Sequence, residues 1–198
     1  VGKRGGCKST PQAFIEKLMA QEALAGEAVV RLKGGDPFIF GRGGEEMQAC
    51  REAGVPVEVV PGVSAALAAA AGAGAPLTHR GMAQAVTFVT GHAASGQAPD
   101  LDWNALASAN HTVVVYMGLS SAPIITARLI EAGRAASTPV LAVENASRPD
   151  ERRVRSTLGQ LPSALSGIDG PAILIIGEVA ALAEDAALLD QVLERVQA

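Results

Sequence analysis

Large rings are scarce in this 198-residue chain: one Trp, one Tyr and four Phe make up 3% of it. Hydrophobic residues still reach 48%, so the apolar content is mainly Ala, Val, Leu and Ile, enough to bury a core. Cysteine is nearly absent. Cys7 and Cys50 form no CxxC pair, which excludes a disulfide scaffold or a cysteine zinc site and fits a reducing cytoplasm, the expected localisation. Only His79, His92 and His111 occur, too widely spaced for a ligand motif, so no metal is expected. Cations are not in excess: 16 Lys and Arg stand against 20 Asp and Glu, a net charge of −4. Such a chain lacks the positive charge that neutralises phosphates, so no nucleic-acid partner is expected. The apolar runs 29–30, 113–115 and 173–176 are far too short for a bilayer, and no basic-then-apolar leader opens the chain, so no membrane partner is expected. The Walker GxxxxGK(S/T), dinucleotide GxGxxG and nucleophile-elbow GxSxG motifs are all missing.

What is present alternates. Thr10-Pro11-Gln12 opens a helix over 10–25, with Thr10 as its N-cap and Phe14, Ile15, Leu18 and Met19 on one face. Gly26 stops it, and the β-branched run Ala28–Leu32 predicts a strand ending in Lys33-Gly34-Gly35-Asp36-Pro37. A second helix follows over Gly44–Gly54, then a strand over Val55–Val60, a Pro61–Ser64 loop and an alanine-rich helix over Ala65–Ala71. In the second half, strands are expected at 84–90, 112–117, 139–143 and 171–176. Helical segments are expected at 104–108, 122–133 and from Asp185, with a polar excursion over 144–155. Up to Arg80 nine cations face eight anions; beyond it seven face twelve, so the balance turns acidic. The expectation is an α/β protein of two domains, 1–80 and 81–198, with mostly parallel sheets and a hinge at 78–84.

Ligands of open α/β sheets bind beyond the carboxyl ends of strands. Three loops are predicted there: Gly34–Pro37, Pro61–Ser64 and Met117–Ser120. Their glycines let a ligand approach main-chain N–H and C=O groups, although GGDP by itself is equally a plain turn. Gly41-Arg42-Gly43-Gly44-Glu45-Glu46 places an arginine between glycines before a helix whose first turn carries two acids. Acids there complement the helix dipole, the simplest reading for Glu46 and a possible one for Glu45. The guanidinium of Arg42 suits a carboxylate or phosphate, and Arg80 in Thr78-His79-Arg80-Gly81 is a second such group.

These residues carry a family resemblance. Val1-Gly2-Lys3-Arg4 and the run Arg31–Glu46, reading RLKGGDPFIFGRGGEE, closely resemble uroporphyrinogen-III C-methyltransferases of the tetrapyrrole methylase superfamily. The segments 59–66, 76–81, 90–92, 115–118 and 143–147 resemble further signatures of that family, so the likeness spans nearly the whole chain. It implies two α/β domains with a cofactor cleft between them, usually in a homodimer. It also implies double methylation of uroporphyrinogen III by S-adenosylmethionine, giving precorrin-2 for sirohaem, cobalamin or haem d1. Cofactor contacts carried over are Gly34, Gly35, Asp36, Ile39, Ser64, Ala65, Met117 and Ala146, where the family more often has glycine at the last position. Arg42, Glu45 and Arg80 match substrate-binding or catalytic residues, and Lys3 matches a proposed proton donor.

The family pattern also has a strand, a GxGPGD-like loop and a helix ahead of the VGKR motif, which here stands at Val1. The expectation is therefore a first domain short of one strand and one cofactor loop, with an exposed sheet edge. Two other readings stay open at this point: another superfamily methylase, or a catalytically silent binding or dimerisation module.

Overall fold

A computed structural model describes residues 10–92 and 99–184. Lys3 and the helix expected from Asp185 lie outside them. The chain forms two compact units, Val1–Ala65 and Ala66–Ala198.

The first unit contains helix α1, Gln12–Leu24, and helix α2, Gly43–Glu52. Pro11, not Thr10, occupies the N-cap of α1, and no side chain caps it; proline at that place removes an N–H that the first turn could not use. The two strands expected here, Ala28–Leu32 and Val55–Val60, are not formed. Both segments lack helical or strand assignment, and among the described residues neither finds a ladder partner. A β-branched run favours extended backbone, but a strand needs a neighbour to satisfy its N–H and C=O groups. Val30, Leu32 and Val60 accordingly stand 87%, 83% and 75% exposed. Residues 55–60 do keep the expected period of two, alternating half-buried and exposed.

Helix α3, Ala65–Gly72, begins at the last residue of the first unit. Residues 66–80 cluster with the second unit, in contrast to the expected boundary after residue 80. The reason is visible in their contacts. Ala66, Ala69, Ala70, Ala73, Ala75 and Leu77 are buried. The Ala66 N–H donates to Tyr116 Oη at 3.1 Å, and the Ala73 carbonyl accepts from the Glu184 N–H at 2.9 Å.

The second unit is built on one five-stranded sheet. Its strands are β1 Ala85–Thr90, β2 His111–Tyr116, β3 Pro139–Glu144, β4 Arg152–Thr157 and β5 Ala172–Ile176, ordered β1-β2-β5-β3-β4. Helices α4 Trp103–Leu106, α5 Ala122–Glu131 and α6 Leu161–Ala164 join them. The class is α/β as expected, but the sheet is mixed. Only β1 and β2 run parallel; β5 lies antiparallel between β2 and β3, and β4 pairs antiparallel with β3. Continuous apolar runs such as Val113–Val115 and Ile173–Ile176 report burial on both faces, not strand direction, so the sequence reads as parallel. The polar excursion at 144–155 contains most of β4, whose RRVRST sequence suits an edge strand.

Val113, Val115, Ile125, Leu129, Leu158 and Leu174 lie in a single buried cluster. The buried Arg134 ties the end of α4 to β2, donating to the carbonyls of Leu106 at 3.2 Å and His111 at 3.0 Å. Leu174 has no exposed surface, whereas Leu67 is 49% exposed. Leu174→Ala is therefore expected to cost about 2–5 kcal/mol, while Leu67→Ala stays within about 0.5 kcal/mol. Urea unfolding of both variants measures the difference, and equal losses would contradict this packing.

Candidate functional site

In the first unit the Gly34–Asp36 loop is held by carboxylates. Asp36 closes a turn by accepting the Phe38 N–H on Oδ1 at 2.8 Å, and accepts the Gly62 N–H on Oδ2 at 3.2 Å. One short side chain thus binds two expected cofactor loops to each other. The approach is close enough to require glycine at position 62, where a Cβ would collide with the Gly35 carbonyl. Gly35 has φ +87°, a conformation that also favours glycine, while the side of Gly34 where a Cβ would stand is open. This is a backbone-rich loop with an open face, and it fits a ligand read by main-chain donors and acceptors such as S-adenosylmethionine. Ser64 is buried directly before α3, Ala65 is exposed, and Ile39 is partly buried within the same unit.

The exit of the loop is strained. Phe40 has φ 51° and Arg42 φ 60°, left-handed conformations that cost non-glycine residues about 1–2 kcal/mol each. Arg42 is the N-cap of α2, and the Gly43 N–H turns back to the Pro37 carbonyl at 2.9 Å. Its guanidinium Nε lies 3.0 Å from both carboxylate oxygens of Glu45. The two side chains are 54% and 53% exposed, so the pair projects from the surface with room for a third group. Hydrogen bonding to Arg42 lowers the Glu45 pKa, and the same bond raises that of Arg42. Near neutrality the pair is fully ionised.

Glu46 behaves differently from the dipole complement that the sequence suggests. Its side chain is 4% exposed and accepts Lys33 Nζ at 2.6 Å, Arg31 Nε at 3.1 Å and Gln12 Nε2 at 3.2 Å. Burial alone would raise its pKa, but the bonds from Lys33 and Gln12 and the charges of Lys33 and Arg31 together lower it.

In the second unit Arg80 sits at the tip of a tight turn closed by paired His79 and Ala83 backbones, with Gly81 at φ +83°. Arg80 is exposed and forms no ion pair among the described residues. Met117, just past β2, has φ 53° and is 49% exposed. A Cβ at the neighbouring Gly91 would collide with Ser121 Oγ and Gly118 Cα, so the ends of β1 and β2 close tightly beside it. Ala146 lies between Asn145 at φ 52° and Ser147 at φ 62°. Sequence reasoning missed Glu144, a buried carboxylate that accepts the Asp169 and Gly170 N–H groups and Arg152 Nη1 at the start of that loop. An acid closing an otherwise apolar strand was its only signal. Among the described residues no group of three or more His, Cys, Asp and Glu could hold a metal, and no helix is long and apolar enough to cross a membrane.

The family model of the Tetrapyrrole (Corrin/Porphyrin) Methylases matches residues 2–162. The chain belongs to this family. It is 51% identical over 185 residues to a siroheme synthase of Tolumonas auensis, covering 93% of this chain and 39% of that protein. The chain thus spans about two fifths of the length of such curated relatives. Among solved structures it resembles the uroporphyrin-III C-methyl transferase of Thermus thermophilus complexed with S-adenyl homocysteine. The TM-score is 0.76 and the identity 44%, covering 86% of this chain and 75% of that one. It also resembles a cobalt precorrin-4 methyltransferase, with TM-score 0.77, 30% identity and coverage of 86% and 72%.

The electrostatics give a sign to test. Both Glu45 and Glu46 have pKa values lowered by folding, so what their charges contribute is present above the ordinary carboxylate pKa and is lost as pH falls through the lowered values. Carbon-detected NMR titration of the two carboxyls should place both midpoints below that of an exposed glutamate. A midpoint for Glu46 above it would contradict the three-donor arrangement.

Proposed function

We propose that this chain carries S-adenosylmethionine-dependent C-methylation of uroporphyrinogen III, performed twice to give precorrin-2. The observation that carries the reading is the conjunction of an open glycine loop with an exposed, ionised Arg42–Glu45 pair at its exit. The likeness to the Thermus thermophilus enzyme with its bound S-adenyl homocysteine supports the same assignment. In this reading the cofactor contacts are Gly34, Gly35, Asp36, Ile39, Ser64, Ala65, Met117 and Ala146. The substrate is a tetrapyrrole and the assembly a cytoplasmic homodimer.

When bound, S-adenosylmethionine supplies an electrophilic methyl group on a sulfonium sulfur. The chain's own task is to align an electron-rich pyrrole carbon with that methyl, since alignment of two bound reactants removes most of the entropic barrier. Uroporphyrinogen III is rimmed with carboxylates, and Arg42 offers them a planar, permanently charged fork. Glu45 sets the direction of that fork by accepting from its Nε and Nη2, leaving Nη1 to the substrate. With its pKa raised, Arg42 does not take up a ring proton; it clamps. Arg80, on its turn, is assigned a second carboxylate contact, and Lys3 the role of proton donor.

Arg42→Ala is expected to abolish methyl transfer to uroporphyrinogen III while leaving the dissociation constant for S-adenosylhomocysteine within about twofold, the pattern of a residue that serves substrate alone. Calorimetry and a product assay by mass spectrometry measure the two properties. Near-normal turnover by the variant overturns the assignment.

A further inference from the structure

Glu46 is not used by the reaction above, yet it is the buried acid beside the glycine loop. Consecutive residues on α2 point about 100° apart, which separates Glu45, turned outward to Arg42, from Glu46, turned inward. The three donors to Glu46 come from two separate stretches: Gln12 from α1, and Arg31 and Lys33 from the extended segment that runs into Gly34. Lys33 is itself only 12% exposed and is the residue immediately before the loop. Its bond to Glu46 joins residues 33 and 46, while the Gly43 N–H to Pro37 carbonyl bond joins the loop to the first residue of α2. The glycine loop is thus fastened at its entry and at its exit to the same helix.

We propose that Glu46 is a positioning residue for the glycine loop, acting through Lys33, and that it sets the affinity for the adenosyl cofactor rather than the rate of methyl transfer. The proposal rests on the functional reading given above. Glycine residues lose more conformational freedom than any others when ordered, so a loop of two glycines binds tightly only when something else has ordered it first. Glu46 does so without touching the ligand. It also occupies Lys33 and Arg31, so these cations serve the loop and the substrate carboxylates are left to Arg42 and Arg80.

The test uses Glu46→Gln, which keeps size and shape but presents an amide N–H₂ to at least one of the donors. In the full chain this variant should weaken S-adenosylhomocysteine binding about tenfold and raise KM for S-adenosylmethionine similarly, with kcat within about threefold, because pre-ordering acts on affinity. Lys33→Met should do the same, and the double variant should be no worse than either single one, since both remove one fastening. Amide hydrogen exchange without ligand provides a readout independent of activity: residues 34–36 should exchange faster in Glu46→Gln while α5 and the sheet of the second unit are unchanged. Parent-like affinity and exchange in the variant, or additive losses in the double variant, overturn the proposal. Failure of the parent chain to bind S-adenosylhomocysteine overturns the functional reading itself and the proposal with it.

Discussion

Glu46 accepts three donors in a place that water scarcely reaches, and the shape of the first unit depends on it. The extended segments on either side of α2 have no ladder among the described residues, so their order cannot come from strand pairing. Side-chain carboxylates take over that task. Glu46 holds Lys33 and Arg31 ahead of the glycine loop, and Asp36 holds Gly62 behind it. A buried carboxylate is costly unless its lone pairs are filled, so each donor removed leaves Glu46 less well compensated.

The second unit works by the opposite means. A mixed sheet with residues fully buried in three adjacent strands gives a rigid platform, and the loops at its ends can then be held in conformations they would not choose alone. Among the described residues the five non-glycine positions with positive φ, namely Phe40, Arg42, Met117, Asn145 and Ser147, belong to the loops that the family resemblance marks for ligand or substrate. Strain concentrated in this way requires surroundings that over-determine the backbone. Around Asn145 and Ser147 the buried Glu144 does this by accepting two N–H groups of residues 169 and 170. Around Arg42 it is the return of Gly43 to Pro37.

Much of this was legible beforehand, for reasons that can be named. The helices α1, α2, α3 and α5 follow from glycine stops, proline starts and apolar periodicity, which are local signals. Buried strands β2, β3 and β5 follow from unbroken apolar runs. Their directions did not, because residues buried on both faces carry no mark of orientation, and β4 was hidden because its six residues are largely charged or polar. Ala28–Leu32 and Val55–Val60 show the converse: strand-forming composition without a strand, since pairing is a property of two segments and composition of one. At the site, the glycine setting singles out Arg42, Glu45 enters through the family resemblance, and Glu46 reads as a dipole complement. Adjacent acids on a helix look alike in sequence, and only the third dimension shows that one faces solvent and the other faces Lys33.

The central proposal is that Gly34, Gly35, Asp36, Met117 and Ala146 contact an adenosyl cofactor. Nitrogen-resolved NMR of the full chain, titrated with S-adenosylhomocysteine, tests it residue by residue. The account predicts saturable shifts of those five amides, with the surface of α5 unmoved. Binding that leaves the Gly34, Gly35 and Asp36 amides in place, or no shift of any of the five at saturating ligand, would contradict it.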